Sequence, residues 1–425
     1  MLKDIVISQK REMEERMRQR YVERRLSVRL GDNDLIRVVL GPRRAGKSFL
    51  AIHLIGDEPA RGYVNFDDER LAGLQDYDGL IAAIDAVYDR PKHLLLDEIQ
   101  NLEQWELFVN RLQRQGYRLY LTGSNAHLLS GELATHLTGR HIPIVLFPFS
   151  FAEYLSSIET TPTQRERAEM LRTYVEQGGM PEPLFQDIDR VSYLRTLWDS
   201  IIYKDIVKRH RIRSVAGIED LAGYLLANVS CEYSLNRLTE VTQVRSVHTV
   251  QKYLGHLCEA FLFFSLQRYS VKFRHQARAK PKIYCIDNGF VTARGFQFTD
   301  RIGALFENVA AIALRRRELE GQCEVFFWRG ERGEEVDFVV KEGHRIVQLL
   351  QVCWDMRSPG TRDREIRSLL QASKALACDN LTVLTATTEA EEQVEWYGVR
   401  RTVRLLPMWK WTSANACSPQ TIDSP

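Results

Sequence analysis

Two short segments carry residues whose types and spacing suit phosphate chemistry. The first, Gly41 to Ser48, has the sequence GPRRAGKS and matches the pattern G-x-x-x-x-G-K-[ST]. A mostly apolar run, Ile36 to Leu40, precedes it, and Phe49 to Ile55 is expected to form a helix. A P-loop needs this strand, loop and helix start, because backbone N–H groups and the helix dipole then face the phosphate oxygens. The segment therefore predicts a nucleotide-binding site.

Two residues of this loop have distinct expected roles. Lys47 is expected to contact the β- and γ-phosphates, and Ser48 to place its hydroxyl on Mg²⁺. The alternative is a strand–helix turn with an incidental lysine, which the flanking strand and helix disfavour. The predicted nucleotide-binding residues are Gly41, Pro42, Arg43, Arg44, Ala45, Gly46, Lys47, Ser48 and Phe49.

The second segment, His93 to Glu98, is an apolar strand pattern that ends in two carboxylates. In a parallel sheet the carboxyl end of such a strand lies beside the phosphate site. Asp97 is therefore predicted to hold Mg²⁺ through water, and Glu98 to orient and deprotonate the attacking water. In isolation the pattern also fits a strand that runs into a turn, but its position after a P-loop favours a Walker B motif.

A polar strand end and a later arginine are the remaining catalytic candidates. The predicted strand Arg118–Thr122 leads into Gly123-Ser124-Asn125, where Asn125, or Thr122, is placed to hydrogen-bond the γ-phosphate or the attacking water. A turn built from Gly, Ser and Asn explains the same residues. Arg140 is a candidate arginine finger, with an ordinary surface arginine as an equally weighted alternative.

Composition limits the class of protein. The chain has 425 residues, a formal net charge of +2, 44% hydrophobic and 27% charged residues, typical of a globular protein of about two to four domains. A nucleic-acid partner must therefore be argued from local patches. The longest apolar runs are too short for a membrane span, and the charged N-terminus does not fit a secretory signal. Seven scattered cysteines without a C-x-x-C pair predict reduced thiols, a cytoplasmic location and no structural zinc.

The order of several longer strings carries a family resemblance. The strings GPRRAGKS, YVNFDDERL, LLLDEIQNLEQWELFVNRL, LTGSNAHLLSGELATHLTGR and FPFSFAEYL follow one another along the chain. GGMPE, YKDIV, KIYCID and GEEVDF come later. This order resembles a large prokaryotic family of AAA+ ATPases in which the ATPase module is followed by a C-terminal domain of unknown function. The resemblance covers about residues 29 to 352 and implies ATP and Mg²⁺ as ligands, but not what the ATP is used for.

The resemblance also implies an α/β architecture with a parallel-sheet ATPase module. If the AAA+ likeness holds, the active form is a homo-oligomer, with Arg140 reaching the γ-phosphate of a neighbour. We predict an N-terminal basic helix (1–28), the ATPase core (29–148), a helical lid (149–194), a winged-helix-like region (195–275), a restriction-endonuclease-like α/β domain (276–411) and a disordered tail (412–425).

The region after the lid resembles a winged helix. Its predicted helices are Ile218–Leu226, Asn236–Val241 and Val247–Cys258. A basic loop, residues 268–282, follows with Tyr269 and Phe273 between its charges. This loop suits either the backbone of double-stranded DNA or a solvated linker, and a winged helix serves protein docking as well as DNA binding.

The segment from about Lys282 resembles the restriction-endonuclease-like fold, with Glu307 and Asp337 in metal-site positions. A working site of this fold needs an acid and a lysine two residues apart on the next strand, so that both face the metal. Gln351 and Cys353 stand there, and neither supplies the charge that Mg²⁺ chemistry needs. We therefore expect this domain to have lost nuclease activity. Lys374 on the following helix is a substitute lysine, or simply a solvated residue.

Three functional hypotheses follow. The chain is an ATP-driven motor or switch that acts on nucleic acid or a protein, an ATP-dependent nuclease with its chemistry at Asp337, or a binding module that holds ATP as a structural ligand. The Asp97-Glu98 pair argues against the third hypothesis, because a structural site has no need of a general base.

Overall fold

The computed structural model of the protein describes residues 1–26, 33–56, 61–126, 137, 139–158, 161–242, 244, 246–295 and 302–415. Much of the LTGSNAHLLSGELATHLTGR string, residues 127–136 and 138, and the tail from residue 416 lie outside them. The chain forms two compact units. The first comprises Met1–Phe147 together with Glu259–Phe261, and the second comprises the rest of the described chain.

The first unit is built on a five-stranded sheet in the order β2–β3–β4–β1–β5, with every pair parallel. Its central strands are buried on both faces, as apolar strands of a parallel sheet must be. The elements are α1 (Leu2–Met17), β1 (Ile36–Leu40), α2 (Lys47–Ile55), β2 (Arg61–Asn65), α3 (Tyr77–Tyr88), β3 (His93–Asp97), α4 (Trp105–Arg114), β4 (Arg118–Gly123) and β5 (His141–Val145).

The predicted N-terminal helix over 1–28 is wrong in its C-terminal bound. Helix α1 ends at Met17, and Val28 lies outside the described residues. Beyond the helix, up to residue 26, the chain is irregular, and Arg24 holds it through partners outside α1. Its guanidinium is buried and donates to the carbonyls of Ala45, at 2.9 Å, and Phe147, at 2.5 Å. Buried Met13 lies on the face of α1 that packs on the ATPase core.

The second unit begins with helices and a two-stranded antiparallel sheet, β6–β7. A π-helical run, Ile201–Lys208, continues α8. No helix within the described residues is long and apolar enough to cross a membrane. The elements are α5 (Phe151–Ser156), α6 (Gln164–Gln177), α7 (Glu182–Phe185), α8 (Arg190–Ser200), α9 (Val215–Ala227), α10 (Leu235–Val241), α11 (Val247–Glu259), β6 (Phe263–Leu266), α12 (Phe273–Arg278), β7 (Lys282–Cys285) and α13 (Asn288–Arg294).

The predicted basic loop over 268–282 is not a loop throughout. Residues 273–278 form α12, and Lys282 is the first residue of β7, with its side chain buried. The physical reason is that β7 pairs with β6, and its first side chain faces a group of carboxylates instead of solvent. Lys282 therefore does not belong to an exposed basic surface.

The second unit ends in a six-stranded mixed sheet, ordered β12–β13–β11–β10–β9–β8. Strands β8, β9 and β10 are antiparallel, and β11 lies parallel to β10 after the crossover helix α15. The predicted tail starts too early, because α16 includes residues 412–415 and buried Trp409 and Trp411 anchor it. The elements are α14 (Ile302–Leu319), β8 (Glu324–Arg329), β9 (Glu335–Glu342), β10 (Arg345–Cys353), α15 (Pro359–Leu376), β11 (Leu381–Thr385), β12 (Ala390–Trp396), β13 (Val399–Pro407) and α16 (Met408–Asn415).

A buried aspartate ties together two strings of the family pattern, GGMPE and KIYCID. Asp287 accepts hydrogen bonds from the backbone N–H groups of Gly179, at 2.7 Å, and Gly289, at 2.8 Å. Burial raises the pKa of Asp287 to about 6, although both donors favour its ionised form. Gly178 leaves room for the carboxylate, because a Cβ at that position would lie 1.9 Å from Asp287 Oδ1. These strings therefore have a structural role in the second unit.

This arrangement predicts a large effect of Gly178→Ala. The substitution adds the overlapping Cβ and forces alanine into a backbone conformation, φ +74° and ψ −171°, that is essentially restricted to glycine. We expect the free energy of unfolding to fall by about 3 kcal/mol or more. Gly223→Ala in α9 is the control, because its Cβ enters open space and is expected to cost nothing. Equal urea midpoints for the two variants would contradict the interpretation.

Candidate nucleotide-binding site

The parallel register of the first unit places the predicted site residues at one sheet edge. Leu40, at the end of β1, pairs with Gly123 of β4, and Leu96 of β3 pairs with Leu121 of β4. The carboxyl ends of the three strands therefore lie side by side. Helix α2 starts at this edge with Lys47, directly after Gly46 at φ +95°. Ligands of open parallel sheets bind at such an edge.

The loop between β1 and α2 is shaped by its glycines. A Cβ on Gly41 would lie 2.0 Å from the carbonyl oxygen of Leu146. The N–H of Leu146 donates a hydrogen bond to the carbonyl of Leu40, which holds the two segments together. Only glycine at position 41 therefore lets the residue after β5, Leu146, lie this close to the phosphate loop. Within the same loop Arg44 has φ +66°, and Arg43 Nη1 lies 3.6 Å from Asp67 Oδ2.

Lys47 lies over the loop and faces the Walker B carboxylates. Its side chain is only 4% exposed, and Nζ donates to the Pro42 carbonyl at 3.2 Å. The same nitrogen lies 3.4 Å from Glu98 Oε1. The predicted lysine and the predicted general base are therefore neighbours.

Asp97 is the centre of the site. Its buried carboxylate accepts hydrogen bonds from Ser48 Oγ at 2.9 Å, from Thr122 Oγ1, and from the Tyr63 hydroxyl at 3.0 Å. Arg16 Nη1, from α1, lies 3.7 Å from the Asp97 carboxylate and donates a hydrogen bond to the Tyr63 hydroxyl at 3.0 Å. Burial raises the pKa of the Tyr63 hydroxyl, so it stays protonated and donates.

The Ser48–Asp97 pair fits the ligands that Mg²⁺ requires. A hydroxyl and a carboxylate oxygen are hard oxygen ligands, and they lie 2.9 Å apart beside the phosphate loop. Burial raises the pKa of Asp97, and the negative charge of Glu98 acts in the same direction. A bound divalent cation reverses this balance, because it stabilises the ionised carboxylate.

The pKa of Glu98 is shifted in the direction opposite to that of Asp97. Burial opposes its ionisation, but the charge of Lys47 and a hydrogen bond from Gln100, at 2.5 Å, outweigh it, so the pKa of Glu98 is lowered. Its backbone is in the left-handed region, at φ +51°, an uncommon conformation for a residue other than glycine. The Glu98 N–H donates to Thr122 Oγ1 at 2.9 Å. At neutral pH Glu98 is therefore an oriented carboxylate.

The structure brings together some predicted residues and leaves others apart. Lys47, Ser48, Asp97 and Glu98 converge, and Thr122, the second choice beside Asn125, contacts both carboxylate residues. Arg140 does not join them. Its carbonyl accepts from Ile36, so it lies at the amino end of β1, roughly 13 Å along the strand from the P-loop edge.

Sequence reasoning missed Arg16, Tyr63 and Gln100. Tyr63 lies opposite Leu95 in the β2–β3 register, two positions before the pair Asn65 and Asp97. Side chains two apart share a face of the sheet, so the register, once known, points the tyrosine toward Asp97. Arg16 carried no comparable signal, because it is 81 positions from Asp97 on a helix whose docking the sequence does not specify.

The fold and the site define the ATPase module of a P-loop protein of the AAA+ class. A family model described as an AAA domain matches residues 33–155. Two models for domains of unknown function, DUF8612 and DUF4143, match residues 168–299 and 302–410.

Two curated relatives span nearly the whole chain. An uncharacterized protein of Methanocaldococcus jannaschii is 30% identical over 409 residues, covering 92% of this chain and 91% of that protein. An uncharacterized protein of Haemophilus influenzae is 28% identical over 395 residues, covering 88% and 94%. The chain belongs to this prokaryotic family, which joins an AAA+ ATPase module to a C-terminal domain of unknown function.

Among solved structures, an assembly of Thermococcus gammatolerans McrB AAA+ hexamers with bound McrC is 12% identical. The match covers 61% of this chain and 66% of that chain at a TM-score of 0.23. A likeness of this strength carries no argument about function.

Proposed function

We propose that the chain binds Mg²⁺-ATP at the P-loop and hydrolyses it. The observation that supports this most directly is the convergence of Lys47, Ser48, Asp97 and Glu98 on one sheet edge. The loop N–H groups and Lys47 bind the phosphates, while Ser48 and Asp97 hold the metal ion. Mg²⁺ supplies charge neutralisation at the β- and γ-phosphate oxygens.

Glu98 then acts on the attacking water. The lowered pKa keeps it ionised, and Thr122 and Gln100 fix its backbone and its carboxylate. Lys47 lies within 3.4 Å of Glu98, so binding of a phosphate competes for its ammonium and releases the carboxylate toward water. A site that held ATP only as a structural ligand would not need this second carboxylate.

Two substitutions separate binding from turnover. Lys47→Ala removes the cation from the phosphate loop and is expected to abolish ATP binding or turnover. Glu98→Gln is expected to keep ATP binding and to lower turnover by about 100-fold or more, since an amide cannot take a proton. Exposed Lys92→Ala and Glu103→Gln are the controls. Wild-type phosphate release by Glu98→Gln would exclude Glu98 as the base.

The active form is an oligomer, with Arg140 acting on the nucleotide of a neighbouring subunit. Support for a role in trans comes from the position of Arg140 at the amino edge of its own sheet, too far from its own P-loop. An arginine supplied in trans adds about a thousandfold or more to turnover at comparable sites.

Mixing subunits tests this assignment. Arg140→Ala and Lys47→Ala proteins are each expected to be inactive, and mixtures are expected to regain activity, because one subunit has an intact P-loop and the other an intact arginine. Arg118→Ala, at the same sheet edge, should keep full turnover. Failure of every mixing ratio to restore phosphate release would rule out the trans role.

The ATPase cycle acts on nucleic acid through a basic groove in the second unit. The groove has a volume of about 650 Å³ and lies along α12, with Trp328 and Tyr269 among its lining residues. No acidic residue occurs from 268 to 281, and Glu331 is the one acidic residue among the described residues that line the groove. The exposed basic residues of this stretch are Lys272, Arg274, His275, Arg278 and Lys280.

Helices α9, α10 and α11, followed by the β6–β7 pair, have the order expected of a winged helix. This order suits DNA binding and protein docking alike, and the basic groove is the feature that favours a nucleic-acid partner. A basic groove with aromatic walls suits a phosphate backbone, whose binding weakens with salt in proportion to the number of phosphates contacted.

A matched pair of double variants tests the groove. Lys272→Gln with Arg278→Gln is expected to weaken binding of labelled double-stranded DNA and to lower the slope of log affinity against log salt by about 2. Arg165→Gln with Arg172→Gln removes the same charge from exposed positions of α6 and should bind like wild type. Equal salt slopes for both variants in fluorescence anisotropy, with and without ATP, would favour a protein partner instead.

A further inference from the structure

A buried lysine lies at the centre of three carboxylates in the C-terminal part of the second unit. Lys282 Nζ is 2.7 Å from Glu335 Oε1, 3.0 Å from Glu307 Oε1 and 3.3 Å from Asp337 Oδ1. The lysine side chain is 4% exposed. An ammonium group has three donors, and all three are matched here by carboxylate acceptors.

The carboxylates come from separate elements. Glu307 is on α14, while Glu335 and Asp337 lie two apart on β9 and so share one face of the sheet. Asp337 Oδ2 also accepts from the Val352 N–H at 3.0 Å, and Glu307 accepts from the Tyr284 hydroxyl at 2.7 Å. This is a fixed cage of hard oxygen ligands around one cation.

Arg329 and Gln351 are further neighbours of the three carboxylates, one cationic and one neutral. Arg329 pairs with Glu335 at 2.7 Å. Gln351, which stands where a working nuclease site needs an acid, accepts from the Asp337 N–H and donates to Glu365 at 2.5 Å. Lys374, the substitute lysine suggested by the sequence, is exposed. The cage therefore needs one internal cation, and Lys282 supplies it.

We propose that Lys282 is a built-in cation that occupies the position of a divalent metal ion in the Glu307–Glu335–Asp337 cage. The wild-type cage then folds without metal and excludes Mg²⁺ and Mn²⁺. Removal of the ammonium leaves one buried and two half-buried carboxylates without their cation, and Mn²⁺, which accepts such oxygen ligands, can replace it.

Lys282→Met tests the proposal because methionine keeps the length of the side chain and removes its charge. In nucleotide-free full-length protein we expect a Tm lower than wild type by about 5–15 °C, recovered by millimolar MnCl₂. Electron paramagnetic resonance should count one more bound Mn²⁺ per chain than in wild type. Adding Asp337→Asn to Lys282→Met should remove both the extra ion and the recovery.

Lys341→Met is the matched control, because it removes a lysine of β9 from a more exposed pair with Glu324 of β8 and should create no metal site. If Lys282→Met does not fold alone, refolding with Mn²⁺ is expected to restore it, and failure to restore it counts against the proposal. One Asp337-dependent Mn²⁺ in wild type, or Mn²⁺-dependent DNA cleavage lost in Asp337→Ala, would overturn it and identify a working nuclease centre.

Discussion

The candidate nucleotide site depends on the burial of one carboxylate, Asp97. Burial without compensation is costly for an ionised group, so its oxygens must be satisfied. The donors come from α2, β2 and β4, as the hydroxyls of Ser48, Tyr63 and Thr122. Because each donor is on a different element, the carboxylate also fixes the positions of these elements against one another. A displaced strand would leave a buried group unsatisfied.

The three hydroxyl donors of Asp97 have a second consequence. The hydroxyls compensate burial without cancelling the charge, and the Arg16 guanidinium, at 3.7 Å, does not outweigh the burial that raises the pKa of Asp97, so Asp97 still attracts a cation. Asp337 in the second unit is the contrasting case, because the ammonium of Lys282 reaches it directly. Both are aspartates on buried strands, yet the first environment preserves the attraction for a metal ion and the second satisfies it internally. Residue type alone therefore does not identify a metal site; the charge of the partners and their distance from the carboxylate must be considered as well.

The sequence predicts the P-loop, the Walker B strand and their shared edge because each motif includes its own strand, and parallel strands align their carboxyl ends. It does not predict contacts between distant elements. Lys282 belongs, in sequence, to a run of exposed basic residues, and only the pairing of β7 with β6 shows that its side chain is buried. Likewise the contacts of Arg24, which hold the chain beyond α1, are with residues more than twenty and more than a hundred positions away.

Helix α1 belongs to the same compact unit as the AAA+ module, although the matched AAA domain starts at residue 33. Strand β2 is an edge strand, and its Asn65 N–H and carbonyl are both satisfied by the side-chain amide of Gln9, at 3.0 Å each. An edge strand with unpaired backbone groups invites further pairing, and the amide blocks it. The same docking brings Arg16 to Tyr63 and Asp97. One helix, α1, therefore both protects the edge of the sheet and contacts the Walker B carboxylate, so α1 is part of the module that holds the site.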